Sequence, residues 1–175
     1  AVILDGVAPV QIALPKYFQE DAQSALDSVN KECQEKENCK ALYGDIVEKA
    51  ESVAQRFAKA QEDNKPIKIE FEHPRNQQPT TAVLTPKWFA GLIFMSLYSR
   101  DLTVLLPHAI SDAEKGNYRL LTSLFALAAE QSSFSGISEG MRYSVVCNED
   151  AKFISADDVK NAKSFFGMNM MQDFV

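Results

Sequence analysis

The sequence is short of the residues from which most active sites are built. Its 175 residues include two histidines, three cysteines and seven glycines. A structural zinc site takes four closely grouped Cys or His ligands. Neither His73 nor His108 lies near Cys33 or Cys39 in sequence, and the cysteine spacing fits no zinc pattern, so no metal and no organic cofactor is expected. Positive charge is also in deficit: 18 Lys and Arg against 24 Asp and Glu give a net charge of −6 and a pI near 5.0. Without a local basic cluster, this balance excludes a nucleic-acid-binding face. Long hydrophobic runs are missing too. The longest, Trp88–Tyr98, is 11 residues, where a membrane span needs about 20. What is present is ordinary globular composition, 46% apolar and 24% charged, enough to bury a core and too apolar for bulk disorder.

The opening Ala1-Val2-Ile3-Leu4-Asp5-Gly6-Val7-Ala8-Pro9 is an apolar run of strand length closed by Gly and Pro. Such runs belong to the buried centre of a parallel sheet. Nothing later supplies a second parallel strand with its crossover helix. The strand therefore either packs alone on helices or pairs with a sheet outside these 175 residues, and the second is the expectation.

After Pro15 the period becomes helical. Phe18, Ala22, Ala25, Leu26 and Val29 form one apolar stripe on a helix over 15–32. A second helix is expected over 38–62, with Leu42, Ile46, Val47, Ala50, Val53, Ala54 and Phe57 inward and Glu48, Lys49, Glu51, Gln55 and Arg56 outward. The two would form an antiparallel helical hairpin. Ile67, Ile69 and Phe71 alternate with charged residues, and Thr80–Leu84 is β-prone, so 67–84 reads as a β-hairpin with a long loop. Thr85-Pro86 supplies an N-cap and a first-turn proline for a helix over 86–99, apolar almost all round and so expected at the buried centre. A helix over 102–115 stops at Gly116, and another starts at Asn117. Met141–Cys147 is β-prone, Ser155 caps a short helix, and Phe165–Val175 has no clear period.

Gly136-Ile137-Ser138-Glu139-Gly140 matches the G-x-S-x-G pattern of a nucleophile elbow. That device needs a strand before the Ser, a helix after it, and the chain order Ser, acid, His. Here a helix and a polar break precede Ser138, a β-prone segment follows, and no His occurs after His108; the match is read as accidental. Both histidines are expected outside catalysis, His73 solvated at the hairpin tip and His108 packed. Cys33 and Cys39, six apart in a polar connector, are expected to pair as a disulfide in preference to remaining free thiols, leaving Cys147 buried in its strand. Glu139, Glu149 and Asp150 flank the β-prone stretch, either as surface charge or as carboxylates that pair with a cationic group of a substrate.

Three blocks carry a resemblance: Val2-Ile3-Leu4-Asp5-Gly6-Val7-Ala8-Pro9, Tyr17-Phe18-Gln19-Glu20-Asp21-Ala22-Gln23, and Ser138-Glu139-Gly140-Met141-Arg142-Tyr143-Ser144-Val145-Val146-Cys147-Asn148-Glu149-Asp150. Together they resemble the tripeptidyl aminopeptidase and proline iminopeptidase-like branch of the α/β-hydrolases. The resemblance implies a mainly α fold, a helical cap with a small β-hairpin and an N-terminal strand remnant of the hydrolase core. Residues 1–9 would be that strand and 10–175 the cap or lid. The Ser, Asp and His of the triad would lie on flanking sequence, so the partners would be the catalytic core of the same parent chain and a small peptide substrate. Caps of this kind use Glu side chains to hold the substrate's free amino group. This makes Glu139 the first candidate, Glu149 the second and Asp150 the third. The resemblance also implies a secreted or periplasmic setting. One departure is visible, since Ala151-Lys152-Phe153 lacks the family's Pro after the acidic pair.

Overall fold

The protein is described here from a computed structural model, in which residues 2–3, 12–72, 77–131 and 138–170 are described. It is mainly helical, with one two-stranded antiparallel sheet. Helix α1 (Leu14–Gln34) carries part of the expected stripe inward, with Ala22 and Leu26 buried and Val29 packed beside them, while Phe18 is exposed. The single helix expected over 38–62 is two, α2 (Glu37–Tyr43) and α3 (Ile46–Glu62). Gly44 breaks it by taking a positive φ of 63°, and the Asp45 carboxylate accepts hydrogen bonds from the Val47 and Glu48 amides at 3.0 Å. Side-chain capping of this kind supplies an acceptor to the first turn's orphan N–H donors, which a continuous helix would not have. Leu42, expected on the buried stripe, is consequently exposed. Helix α3 buries Ile46, Ala50, Val53, Ala54 and Phe57 and ends at Asn64, whose φ of 53° closes a Schellman turn through Lys65 N–H to Ala60 O.

Strands β1 (Lys68–Glu72) and β2 (Pro79–Val83) pair with Ile69 opposite Ala82 and Phe71 opposite Thr80. This places Ile69 and Phe71 toward the helices, where Phe71 meets Phe125 edge-on at 5.6 Å. Helix α4 (Pro86–Leu97) starts as its cap predicts, Thr85 Oγ1 accepting from Trp88 N–H at 3.0 Å. It buries Phe89, Ala90, Leu92, Ile93 and Ser96, while Phe94 is half-buried and Tyr98, which follows it, is exposed. The helix expected over 102–115 is also two, α5 (Arg100–Thr103) and α6 (Leu106–Glu114). Pro107 has no amide to offer Thr103, so the bond that would join them cannot form. Gly116, at φ 86°, ends α6 in a second Schellman turn, and α3 reaches across to finish that cap. Arg56, expected to face solvent, donates to Ala113 O and Glu114 O at 3.0 and 2.6 Å. A guanidinium on the last carbonyls satisfies acceptors and complements the helix dipole.

Helices α7 (Arg119–Gln131), α8 (Glu139–Glu149), a 3₁₀ turn (Ala151–Phe153), α9 (Ala156–Asn161) and α10 (Phe165–Met170) complete the chain. Ser155 caps α9 in a reciprocal box with Asp158, as its position predicts. Two expectations fail here. Met141–Cys147 is helix, not strand, and Cys147 is exposed, not buried. No described strand lies beside it, and a helix satisfies its backbone donors and acceptors without a neighbour. The aperiodic tail contains α10, which inserts Phe165 and Phe166 into the core. There Phe57, Phe89, Phe165 and Phe166 form a continuous edge-to-face series with centroids 5.7, 5.9 and 5.1 Å apart. The strand expected over 1–9 falls mostly outside the described residues; Val2 and Ile3 are exposed and not in a strand.

Candidate functional site

The three carboxylates singled out from the sequence do not converge. Glu139 opens α8 and Glu149 closes it, and ten residues of helix separate their backbones by about 15 Å along the axis. Glu149 is exposed, and Asp150 caps the helix end, its amide donating to Val146 O at 2.9 Å. Ser138 is exposed at the N-cap position of α8 and its hydroxyl makes no capping bond. A helix therefore does follow Ser138, contrary to the order read from the sequence; the residues just before it, 132–137, lie outside the described residues. His73 lies outside them as well. His108 stacks on Tyr43 at a centroid distance of 5.8 Å and places Nε2 3.6 Å from Asp112 Oδ2, and no described hydroxyl or thiol hydrogen-bonds to it. Among the described residues, no group of His, Cys, Asp or Glu could hold a metal ion, and no helix is long and apolar enough to cross a membrane.

Cys33 and Cys39 form a disulfide, with Cα atoms 5.1 Å apart. It ties the end of α1 to α2, a helix with no buried residue of its own. The rest of that tether is polar: Gln34 donates to Gly44 O, and Asn30 Oδ1 accepts from Ile46 N–H at 3.1 Å.

The sequence reading missed an apolar hollow on this surface. Between α1 and α4 lies an open groove of about 210 Å³. Ala22 and Ala25 form its floor on α1, Phe94 and Leu97 its wall on α4, and Phe18 and Tyr98 its lips. Phe18 was expected on the core stripe but is 41% exposed, its ring 6.3 Å from Phe94, which in turn meets Tyr98 at 5.2 Å. Among the described residues, Asp21 is the one charged residue lining the groove, one helical turn from both Phe18 and Ala25. The signal lay in the spacing: two alanines between a Phe and a Leu on one stripe leave a facing helix nothing bulky to pack on. Helix α4, apolar on every side, then presents rings that its neighbour does not cover.

In the first turn of α1, Lys16 Nζ lies 2.8 Å from Asp158 Oδ1. The Lys16 ammonium, with the Ser155 amide and hydroxyl, holds the Asp158 carboxyl down to about 2, and Asp158 raises Lys16 in return. This pair clips α9 to α1; it is a structural tie, since each charge is already neutralised by the other.

No family model matches this chain, and no curated protein or solved structure is detectably similar to it.

Proposed function

We propose that this chain is the substrate-gating and substrate-binding cap of a serine α/β-hydrolase, a peptidase that releases residues or short peptides from peptide N-termini. The triad would be carried by sequence outside these 175 residues. The catalytic core would then be this domain's partner and a short peptide its ligand, in a secreted or periplasmic setting, where a disulfide such as Cys33–Cys39 persists. The observation that carries the reading is the state of α8, which bears the block that resembles the family. Its Met141 and Val145, one turn apart on the same side of the helix, are exposed, Met141 to 66%, and an uncovered apolar pair of this kind supports a place where another body sits. Glu139, Glu149 and Asp150 remain the carboxylates proposed to meet a substrate's amino group once that body is present.

The chemistry assigned to the cap is positional. It restricts the approach to the core's nucleophile, excludes water, and selects substrates by their free amino end. The proposed acyl transfer itself belongs to the core's Ser, His and Asp.

The test is a longer polypeptide that carries this chain between a Ser elbow and the downstream Asp and His. It should hydrolyse peptidyl p-nitroanilides with a free amino end and lose this selectivity when residues 10–175 are replaced by a short linker. The 175-residue chain alone should not react with a fluorophosphonate. Labelling that vanishes in Ser138→Ala would overturn the reading in favour of a small esterase. A finished binding module, the rival from another class, would be monomeric and would not bind a hydrophobic dye at α8.

A further inference from the structure

We propose that the free edge of β1 pairs with the same edge of a second copy of this chain, joining two hairpins into one antiparallel sheet across a two-fold axis. The hydrogen-bond register fixes what that edge offers. Leu84 N–H donates to Ile67 O at 2.9 Å, one step beyond the Lys68–Val83 pair, so the hydrogen-bonded pairs that follow are Ile69 with Ala82 and Phe71 with Thr80. The N–H and C=O groups of Lys68, Glu70 and Glu72 therefore point away from β2, and no described strand or helix runs beside them. Such a row of unpaired donors and acceptors is a template for another strand.

The sequence of β1 selects a second copy as the occupant. Turned antiparallel about Glu70, Lys68-Ile69-Glu70-Phe71-Glu72 is complementary to itself on both faces. On the solvent face, Lys68 falls opposite the second copy's Glu72 and Glu72 opposite its Lys68, and opposite charges so placed attract. These side chains are exposed and make no hydrogen bond or ion pair with any described residue. On the inner face each Ile69 meets a Phe71, and both are half-buried, with apolar surface left for a neighbour. In this register the outward-pointing residues 68, 70 and 72 meet only one another, so the ladder closes without a gap. The other edge of the hairpin cannot do this. Pro79 lies opposite Glu72, which puts its missing donor on the outward row of β2, and β2 carries no charge to fix a register. Glu70 meets its own copy at the centre, where like charges repel. With five residues a side, the dimer is weak and reversible, at the low end of interface sizes. None of this rests on the cap reading above.

The test uses the 175-residue chain, ¹⁵N-labelled, in sedimentation velocity and amide hydrogen exchange over a concentration series reaching the millimolar range. Monomer should give way to dimer as concentration rises, and the amides of Lys68, Glu70 and Glu72 should exchange more slowly over the same range. Lys68→Glu sets like charges opposite each other at both ends and should weaken association about tenfold, the size of two reversed cross-strand pairs. Adding Glu72→Lys to it exchanges the two charges and should restore the dimer. Glu70→Gln removes the central repulsion and should tighten association about threefold. All three positions are on the exposed face, so the rest of the amide spectrum should persist, which separates lost pairing from lost fold. The proposal is overturned by a chain monomeric at every concentration, or by a dimer that leaves those three amides unprotected. It is equally overturned if Lys68→Glu leaves association unchanged, if the charge exchange fails to restore it, or if Glu70→Gln fails to tighten it.

Discussion

Helices α8 and α10 lie some twenty residues apart and are treated oppositely by the fold. The longer, α8, has 11 residues and leaves Met141, Tyr143 and Val145 exposed, packing chiefly on the 3₁₀ turn that follows it. The shorter, α10, has six residues and buries Phe165, Phe166 and Gly167 against α1 and α4. Length and intrinsic helix preference would have ranked them the other way. What differs is whether a receptor exists among the described residues. For α10 the receptor is specific: Ser164 Oγ donates to Gln19 Oε1 and accepts from Gly167 N–H, and Gln23 Oε1 accepts from Phe165 N–H at 3.1 Å. These bonds cap a helix too short to stand alone and set both Phe rings into the aromatic series. In α8 the apolar residues 141, 143, 145 and 147 alternate, which on a helix sends 141 and 145 to one side and 143 and 147 to the other. No single partner layer can cover both sides.

The difference can be tested by substitutions in the two helices. Phe165→Ala or Phe166→Ala should cost about 3–5 kcal/mol, the price of an emptied aromatic site in a core, read from the denaturant midpoint. Gly167→Ala should cost roughly 2–3 kcal/mol by overpacking, because a Cβ there would lie 2.5 Å from Ala162 O, and backbone cannot step aside as a side-chain tip can. Helix α2 is the intermediate case, held covalently where packing fails. Breaking its disulfide with Cys39→Ser should cost about 2 kcal/mol by the loop-entropy relation for so short a ring, with the loss of order confined to 35–45 in hydrogen exchange.

A smaller effect is expected at the α9 clip. Asp158 has its carboxyl pulled from 3.8 to about 2 in the folded chain. Its depressed folded value means that it contributes stability above the unfolded value, lost as pH falls from near 3.8 through about 2. Asp158→Asn should flatten that part of the stability–pH curve, and a curve unchanged in slope would show the clip to be idle. Smallest of all, Met141→Ser and Val145→Ser should change stability by less than about 0.5 kcal/mol, as exposed positions do. A loss comparable to Phe165→Ala would erase the distinction drawn between the two helices.

Much of the fold was legible wherever pattern and punctuation agreed. The stripe of α1, the alternation of Ile67, Ile69 and Phe71, the Thr85-Pro86 start and the Ser155 cap each combine a period with a terminator, and each corresponds to an element in place. Errors fell where one signal stood alone. Apolar continuity through Tyr43 and Ile46 concealed the break that Gly44 and Asp45 make. The β-prone residues over 141–147 indicated a strand that has no neighbour to pair with among the described residues. At the candidate sites less was readable. Helical geometry keeps Glu139 and Glu149 apart, a fact hidden by reading their segment as extended. The α1–α4 groove depends on which side chains fail to meet, and a sequence records only those that are present.

The sequence alone determined the class of this protein: its acidic balance, its mainly helical content, the hairpin, most helix starts and stops, and a cysteine pair close enough to join. These follow from local steric and hydrogen-bonding preferences acting over a few residues. Tertiary structure decided the rest: that Phe165 and Phe166 complete a core begun by Phe57 and Phe89, that Arg56 ends a helix other than its own, and that Phe18 borders a groove. Each of those depends on contacts between residues distant in the chain, and the free energy of such contacts is set by shape and by burial that no local pattern encodes.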